Sequence, residues 1–307
     1  MIVIGAFVFM LAGAVLSLAT GAASAFDPQI FWMLRLPRTL CGLAVGGGLA
    51  VAGTLVQASL GNPLADPYSL GIAAAAALGS VLGSFLHTGS MAASGTYAFA
   101  FSVVALLALM RWLRKSFRSS TEVLLVGVVS GLFFTSMATF LLAVSDPAAW
   151  TSNLGWLLGS IATPTLNESL GVLTLMLAAL VAAFSHWKVL DLLSADELTA
   201  ESAGVDVARF RKRFFFLVAA ITAVSVSIAG IIGFLGFLVP HALRALGVRT
   251  HRGLVPAAFF AGAGILLFSD VIARLAARPS ELPAGVVMAL IGAPAFLALI
   301  RNRKAFP

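Results

Sequence analysis

Long apolar windows, separated by short polar or charged segments, run through almost the whole chain. About 20 apolar residues, each rising ~1.5 Å along a helix, cross the ~30 Å hydrocarbon core of a bilayer. No window alternates apolar and polar positions as a strand of a membrane β-barrel does. The pattern therefore predicts an all-α polytopic membrane protein with about ten crossings. They lie near residues 2–20, 39–60, 70–86, 94–112, 121–143, 167–187, 213–231, 234–248, 254–275 and 284–300.

The composition agrees with a membrane protein. Hydrophobic residues make up 60% of the sequence and charged residues 10%, against about 25% charged residues in a soluble domain. The windows leave no room for a soluble domain, so residues 1–307 are predicted to form a single transmembrane domain. The first window has no basic residue before it, which favours a first transmembrane helix over a cleaved signal peptide. The single cysteine, Cys41, excludes a disulfide framework.

The positive charges are distributed unevenly between the two sides of the predicted membrane. If both termini lie on one side, that side receives 15 of the 19 Lys and Arg residues. The other side receives Arg35, Arg38, Arg274 and Arg278. By the positive-inside rule, both termini are predicted to be cytoplasmic. The net charge of +7 therefore reflects membrane topology and does not indicate nucleic acid as a partner.

The second window carries small residues and ends in a rigid polar turn. Gly46, Gly47 and Gly48 lie in its middle, and small residues on one face let a neighbouring helix approach closely. Two prolines within residues 62–67 force a turn after it. A charged entrance, a small-residue helix and a rigid turn indicate a transport pathway more than a membrane anchor.

The largest predicted cytoplasmic connection covers residues 190–213. Ser194 and Glu197 are spaced as the N-cap and N3 residues of a capping box, which predicts a short helix from there to about Ala203. Gly204 suits the left-handed position that ends a helix. The predicted exposed residues are acidic: Asp196, Glu197 and Glu201. We interpret this helix either as a solvated connector or as a docking helix for a partner protein.

The sequence contains no catalytic or metal-binding motif. None of the four lysines stands in a Walker A pattern, so a separate subunit must bind ATP if ATP drives this protein. Neither H-E-x-x-H nor C-x-x-C occurs, and the four histidines are scattered. We therefore expect no enzymatic activity and no cofactor bound by this chain.

Three arginines on the predicted extracytoplasmic side, Arg35, Arg38 and Arg274, have two possible roles. A planar guanidinium group can bind a carboxylate of a docking protein through two parallel hydrogen bonds. Alternatively, these side chains reach the membrane interface or form internal ion pairs. The acidic candidates for such pairs are Asp27, Asp270 and Glu281.

Five segments, in order along the chain, resemble the permease subunits of ATP-binding-cassette (ABC) importers for iron chelates, haem and cobalamin. They are RLPR at 35–38, GNPLADPYSLG at 61–71, GIIGFLGFLVPHALR at 230–244, SDVIARLAARPSELPAGV at 269–286 and LIGAPAFLALI at 290–300. Any one segment is a weak signal, whereas five in register cover nearly the whole chain. The resemblance implies a permease fold with inverted-repeat halves, located in the bacterial inner membrane.

The resemblance also implies partners. The permease would work as a homodimer with two ATP-binding subunits, which bind ATP and Mg²⁺. It would receive its substrate from a periplasmic substrate-binding protein. The substrate would descend between the two copies, along a path lined by the fifth and tenth crossings. Membrane lipid would surround the dimer, and no covalent chemistry would occur in this chain.

Matching the family's motifs residue by residue implies three candidate sites. The binding protein would dock on Arg35, Arg38 and Arg274. The ATP-binding subunit would couple to Ser194, Asp196, Glu197, Glu201 and Gly204. The path would close at its cytoplasmic end on Asn62, Leu64, Ser120 and Thr121. By sequence, Ser120 is equally suited to cap the fifth crossing.

The substrate and one rival class of transporter stay open. Apolar, glycine-rich crossings suit a large chelate that is handed over whole. An iron chelate (haem or ferric siderophore) is the first expectation and cobalamin the alternative, with His87 and His241 as weaker candidates for ligand contact. An ion-coupled secondary transporter would place an ionisable residue in mid-membrane, whereas the charges here lie near segment ends. Asp270 lies four residues before Arg274, so even that carboxylate can be satisfied locally.

Overall fold

The computed structural model describes residues 1–20, 27–86, 91–112, 120–145, 157–161, 164–277 and 280–301. Within these ranges the regular structure is helical and no strand occurs, which confirms the all-α prediction. The α-helices of six or more residues are α1 (Ile2–Ala19), α2 (Leu36–Leu60), α3 (Ile72–Leu86), α4 (Met91–Trp112), α5 (Ser120–Ala143), α6 (Leu166–Ser185), α7 (Trp187–Ala195), α8 (Glu197–Ser202), α9 (Val207–Ala229), α10 (Leu235–Ala245), α11 (His251–Ala276) and α12 (Ala284–Arg301).

Short irregular helical segments flank α2. A single α-helical turn (Pro28–Ile30) and a π-helical turn (Phe31–Arg35) lead directly into α2, and a 3-10 turn (Pro67–Leu70) precedes α3. The crossing predicted at 39–60 therefore begins earlier than the apolar window suggests. Pro37 lies at the start of α2, directly after the π-helical turn, and does not interrupt the helical segment.

Six helical segments of the described residues are long and apolar enough to cross a membrane. They are Ile2–Ala19, Pro28–Leu60, Thr121–Ala143, Leu166–Ser185, Val207–Ala229 and His251–Ala276. Shorter apolar helices occur in α3, α4 and α12. The prediction of a polytopic membrane protein is confirmed. The eighth predicted crossing, 234–248, forms α10, which has 11 residues. Because 11 residues rise only ~16 Å, about half the hydrocarbon core, the predicted count of ten full crossings is approximate.

The helix α2 lies at the centre of the molecule, and almost all of its residues are buried. Glycines let its backbone approach its neighbours. A Cβ atom at Gly46 would overlap the carbonyl of Gly262 in α11, and one at Gly53 would overlap Gly236 in α10. Gly48 makes room for Met176 of α6 in the same way. The prediction that small residues admit neighbouring helices is confirmed for α2.

The two ends of α2 define two ends of the molecule. At its N-terminal end, which we call the arginine end, Arg38 pairs with Asp270 in the last two turns of α11 (2.9 Å). At its C-terminal end, which we call the turn end, Arg211 near the start of α9 donates a hydrogen bond to the carbonyl of Ser59 (2.8 Å). The predicted docking residues and the predicted coupling helix therefore lie at opposite ends. The assignment of the turn end to the cytoplasm stays a prediction from the charge distribution.

Candidate functional site

The short helix α8 begins at Asp196 and not at Ser194. The Asp196 carboxylate accepts a hydrogen bond from the backbone N–H of Thr199 (3.3 Å). Ser194 lies inside α7, where its hydroxyl donates to the carbonyl of Asp191 (3.0 Å). The prediction of Ser194 as N-cap is therefore wrong, because the apolar pattern of α7 continues that helix to Ala195. Asp196 is then the first residue that can adopt the extended N-cap conformation.

The end of α8 agrees with the prediction for Gly204, whose φ is +82°. The N–H of Gly204 donates to the carbonyl of Glu201 (2.9 Å). The N–H of Val205 donates to the carbonyl of Ala200 (3.0 Å). These bonds satisfy carbonyl groups of the last helical turn, and glycine accepts the left-handed conformation without a Cβ clash. Gly204 as the residue that ends the helix is confirmed.

The acidic residues of α8 are divided between solvent and the interior. Asp196 and Glu201 are exposed. Glu197 is only 32% exposed, because its carboxylate lies 3.2 Å from the guanidinium group of Arg211. The prediction that Glu197 belongs to the exposed face is therefore wrong in part. Leu198, which a search for acidic residues missed, is 73% exposed, so the outer face of α8 combines an apolar side chain with two carboxylates.

The turn after α2 is held in place by Asn62. Gly61 ends α2 in the left-handed conformation (φ +57°). The N–H of Asn62 donates to the carbonyl of Gln57 (3.1 Å), and its side-chain oxygen accepts from the N–H of Leu64 (2.9 Å). Leu64 is half-exposed on this fixed turn. An apolar side chain in such a position is suited to close a pathway against a second surface.

The chain then returns from the turn into the protein through Asp66 and Tyr68. Asp66 caps the 3-10 turn by accepting a hydrogen bond from the N–H of Tyr68 (3.1 Å). The Tyr68 hydroxyl accepts from the N–H of Ile232, in the link between α9 and α10 (3.0 Å). Burial raises the pKa of Asp66 to about 6. Gly127 of α5 packs against the same 3-10 turn, so α5 lies beside the segment that follows Asn62.

The other two gate candidates, Ser120 and Thr121, begin α5. The side chain of Thr121 is exposed, and that of Ser120 lies outside the described part of the chain. Ser120 is already helical at the point where the described residues resume, so the alternative of Ser120 as N-cap does not fit. The gate role of these residues stays a prediction.

At the arginine end, the Asp270 carboxylate is clamped between two arginines. Its Oδ1 atom lies 2.9 Å from Nη2 of Arg38, and its Oδ2 atom lies 3.0 Å from Nη2 of Arg274. Asp270 is 1% exposed, and both guanidinium groups are largely buried. Arg38 also pairs with the half-exposed Glu281 (2.8 Å). The local pair predicted between Asp270 and Arg274 is confirmed.

Arg35 completes this cluster from the side of α1. Its Nη1 atom donates to the carbonyls of Leu18 (3.1 Å) and Ala19 (3.3 Å), the last residues of α1. A cation at this position satisfies terminal carbonyls and complements the helix dipole. The structure thus brings the three docking candidates together, but bonds them within the chain. Docking through them stays a prediction, in which a partner's carboxylates compete with internal acceptors.

Histidine and cysteine provide no metal site among the described residues, where no group of three or more His, Cys, Asp or Glu side chains could hold an ion. His241 is buried and stacks on Phe237, with ring centroids 6.3 Å apart, which fits a packing role. His87 lies outside the described residues. Cys41 is buried and is a free thiol.

The helix α5 exposes a long apolar face. Its most exposed large side chains are Leu125, Val129, Leu132, Phe133 and Phe140. The hydroxyls of Ser136 and Thr139 donate to carbonyls of their own helix four residues earlier (2.9 Å each). The single ionisable residue in α5 is Glu122, in the first turn. This face therefore presents hydrocarbon along most of its length.

These features define a polytopic helical membrane protein: apolar helices packed around α2, a surface helix at the turn end and buried ion pairs at the arginine end. The chain belongs to the FecCD transport family, whose sequence profile matches residues 1–302.

Two relatives illustrate the match. The chain is 34% identical over 303 residues to the vitamin B12 import system permease protein BtuC of Escherichia coli O157:H7 (strain EC4115 / EHEC), covering 95% of this chain and 92% of the relative. It is 34% identical over 303 residues to the protein of the same name from Serratia proteamaculans (strain 568), covering 98% of this chain and 90% of the relative.

Solved structures agree with this family. One, described as an inward-facing conformation of a metal-chelate type ABC transporter, matches with a TM-score of 0.89, 31% identity and 98% coverage of both chains. PsaBC from Streptococcus pneumoniae in complex with Fab matches with a TM-score of 0.61 and 19% identity, covering 85% of this chain and 89% of that chain, and supports the fold alone. The chain is therefore a permease subunit of an ABC importer, a class that works with ATP-binding subunits and a substrate-binding protein.

Proposed function

We propose that this permease imports a metal chelate, taken whole from a periplasmic substrate-binding protein and released into the cytoplasm. The observation that carries the proposal is the apolar face of α5, whose hydroxyls at Ser136 and Thr139 are bonded to the helix's own backbone. A bare metal ion needs polar groups that replace its hydration shell, and this face offers few. A cation already enclosed by an organic ligand has no such need. An iron chelate, haem or ferric siderophore, is the first candidate.

In this proposal two copies form a homodimer with the path between them. The path is lined by α5 and by α12, whose exposed side chains include Leu290, Ile291 and Leu297. A second copy covers faces that would otherwise meet lipid. The residues that close the path at the turn end are Asn62, Leu64, Ser120 and Thr121.

The partners occupy the two ends. The ATP-binding subunits, which hold ATP and Mg²⁺, dock on the outer face of α8 through Asp196, Leu198 and Glu201. The substrate-binding protein docks at the arginine end, and its carboxylates compete with Glu281 for Arg38.

Cobalamin is the second candidate substrate. Two relatives at 34% identity carry the name of a vitamin B12 import permease. The structural match at 31% identity is described as a metal-chelate transporter. Cobalamin also encloses its metal in an organic ligand, so the apolar face of α5 fits either cargo.

Uptake into proteoliposomes tests the proposal. The permease is reconstituted with its ATP-binding subunits and binding protein, and each assay supplies haem, a ferric siderophore, cobalamin or free Fe³⁺, with ATP or a non-hydrolysable analogue. We expect ATP-dependent uptake of an iron chelate and no uptake of free Fe³⁺. Uptake of cobalamin alone would select the second candidate. ATP-dependent uptake of the free ion would contradict a chelate substrate.

The same assay also distinguishes an ATP-driven importer from an ion-coupled secondary transporter. Asp270 is buried, but it is paired with both Arg38 and Arg274 and is therefore poorly placed to carry a proton or ion. We expect no uptake when an ion gradient is imposed without ATP-binding subunits. Gradient-driven uptake by the permease alone would contradict the importer mechanism.

A further inference from the structure

Arg211 differs from the other basic residues at the start of α9. Arg209, Lys212 and Arg213 are exposed, whereas the Arg211 side chain is 5% exposed. Burying a guanidinium group is costly unless hydrogen bonds and charge compensate it. The partners of Arg211 therefore determine what this residue does.

The first partner of Arg211 is the end of α2. Its Nε atom donates to the carbonyl of Ser59 (2.8 Å). In a continuing helix that carbonyl would accept from the residue four positions later, but this residue is Pro63, which has no N–H. Arg211 supplies the missing donor at the base of the turn that carries Asn62 and Leu64.

The second partner of Arg211 is the first residue of α8. Its Nη2 atom lies 3.2 Å from a carboxylate oxygen of Glu197. One rigid guanidinium fork thus holds α8 and the end of α2 at the same time. A lysine at this position would keep the charge but could not present the same planar pair of donors.

The last turn of α2 is held from the other side by Gln57. Its side chain accepts a hydrogen bond from Arg244 of α10 and donates to the carbonyl of Gly236 (3.3 Å). The backbone carbonyl of Gln57 accepts from the N–H of Asn62 (3.1 Å). The turn is therefore connected to α10 through Gln57 and to α8 through Arg211, and a displacement of α8 strains the connection made by Arg211.

We propose that Arg211 is a positioning residue that transmits the displacement of α8 to the turn at residues 61–64. The inference rests on the proposed function, in which α8 docks on the ATP-binding subunit. The mechanical connection runs from Glu197 through the side chain of Arg211 to the carbonyl of Ser59. In this role Arg211 contacts neither the substrate nor ATP. It connects the helix that docks on the ATP-binding subunit with the turn that closes the substrate path.

The test uses the complete complex of permease, ATP-binding subunits and binding protein. A fluorophore is attached to Leu64→Cys in a Cys41→Ala background, and its response to ATP and to trapped nucleotide is recorded. Transport and ATP hydrolysis are measured separately in unlabelled complexes that keep Leu64. In Arg211→Lys we expect complex yield and hydrolysis within about twofold of the parent, and about tenfold less transport per ATP, within the range of allosteric coupling. The nucleotide response at position 64 should disappear. Arg209→Lys, a surface substitution on the same helix turn, should behave as the parent does.

The inference would be overturned if the label at position 64 responded to nucleotide in the Arg211→Lys complex as it does in the Arg209→Lys complex. If Arg211→Lys does not assemble, Glu197→Ala is the deciding variant. It removes the ion pair between Arg211 and α8 but keeps the hydrogen bond from Arg211 to the carbonyl of Ser59. Loss of the response in Glu197→Ala supports the inference, and a normal response overturns it. Failure of both variants to assemble would make the pair a structural contact and would also overturn it. A parent complex that neither binds ATP-binding subunits nor responds to nucleotide would instead refute the proposed function itself.

Discussion

Asp270 is the residue on which the arginine end depends most directly. Each of its carboxylate oxygens faces a different, largely buried arginine, Arg38 or Arg274. Glu281 adds a further pair to Arg38, but from a half-exposed position. Removing one member of a buried pair leaves an uncompensated charge in a medium of low polarity, whereas an exposed pair is screened by water.

Substitution of these two carboxylates should therefore have unequal effects. Asp270→Asn should lower the free energy of unfolding by ~3–5 kcal/mol, the usual cost of breaking a buried ion pair. Glu281→Gln should cost ~0.2–1 kcal/mol. The measurement is thermal unfolding of the purified protein in detergent, with folding first checked by circular dichroism. Equal losses in the two variants would show that burial does not set the strength of these pairs.

Among the elements, α10 depends on its close approach to α2. The backbone of Gly236 lies where a Cβ atom of Gly53 would be placed, so these two helices touch without side chains between them. This contact places Gln57 beneath α10, where its side chain donates a hydrogen bond to the carbonyl of Gly236 and so connects the last turn of α2 with α10. By contrast, Gly171 in α6 has open space around the position of a Cβ atom.

Gly53→Ala should therefore separate α10 from α2. We expect a loss of ~1–3 kcal/mol in the free energy of unfolding, as for other overpacked interiors. Gly171→Ala is the matched control and should stabilise α6 by ~0.5–1 kcal/mol, because alanine is the better helix former. Chemical unfolding in mixed micelles measures both. A neutral Gly53→Ala would show that α10 can shift outward without loss of packing.

At the scale of the whole molecule, the arginine end and the turn end lie opposite each other. They are therefore expected to face opposite sides of the membrane. Exposed residues are available at each end: Gln29 precedes α2, and Glu201 lies on α8. Because Lys and Arg concentrate on the predicted side of the turn end, that end should face the cytoplasm.

Single cysteines at these positions, in a Cys41→Ala background, test this orientation with a membrane-impermeant maleimide. In spheroplasts, Gln29→Cys should react and Glu201→Cys should not. After the inner membrane is permeabilised, both should react. The reverse result would place the termini outside, and reaction of both residues in intact spheroplasts would contradict their placement at opposite ends.

Much of this architecture follows from local properties of the chain. Apolar windows are long enough to require a membrane, and glycines in α2 admit close neighbours wherever those neighbours come from. The end of α8 at Gly204 follows from the freedom of glycine at positive φ.

Which side chain each buried charged residue pairs with, in contrast, is decided by the tertiary structure. Glu197 was predicted to face solvent, yet it faces Arg211, because α9 begins at Val207 and carries that arginine under α8. The arginines at the other end could equally have met lipid headgroups or a docking protein, but the packing of α11 against α2 places Asp270 between two of them. Helix lengths, caps and glycine turns depend on neighbouring residues and are visible in the sequence. A buried charge is compensated by whichever group the packing of distant helices brings within hydrogen-bonding distance, and no local pattern records that distance.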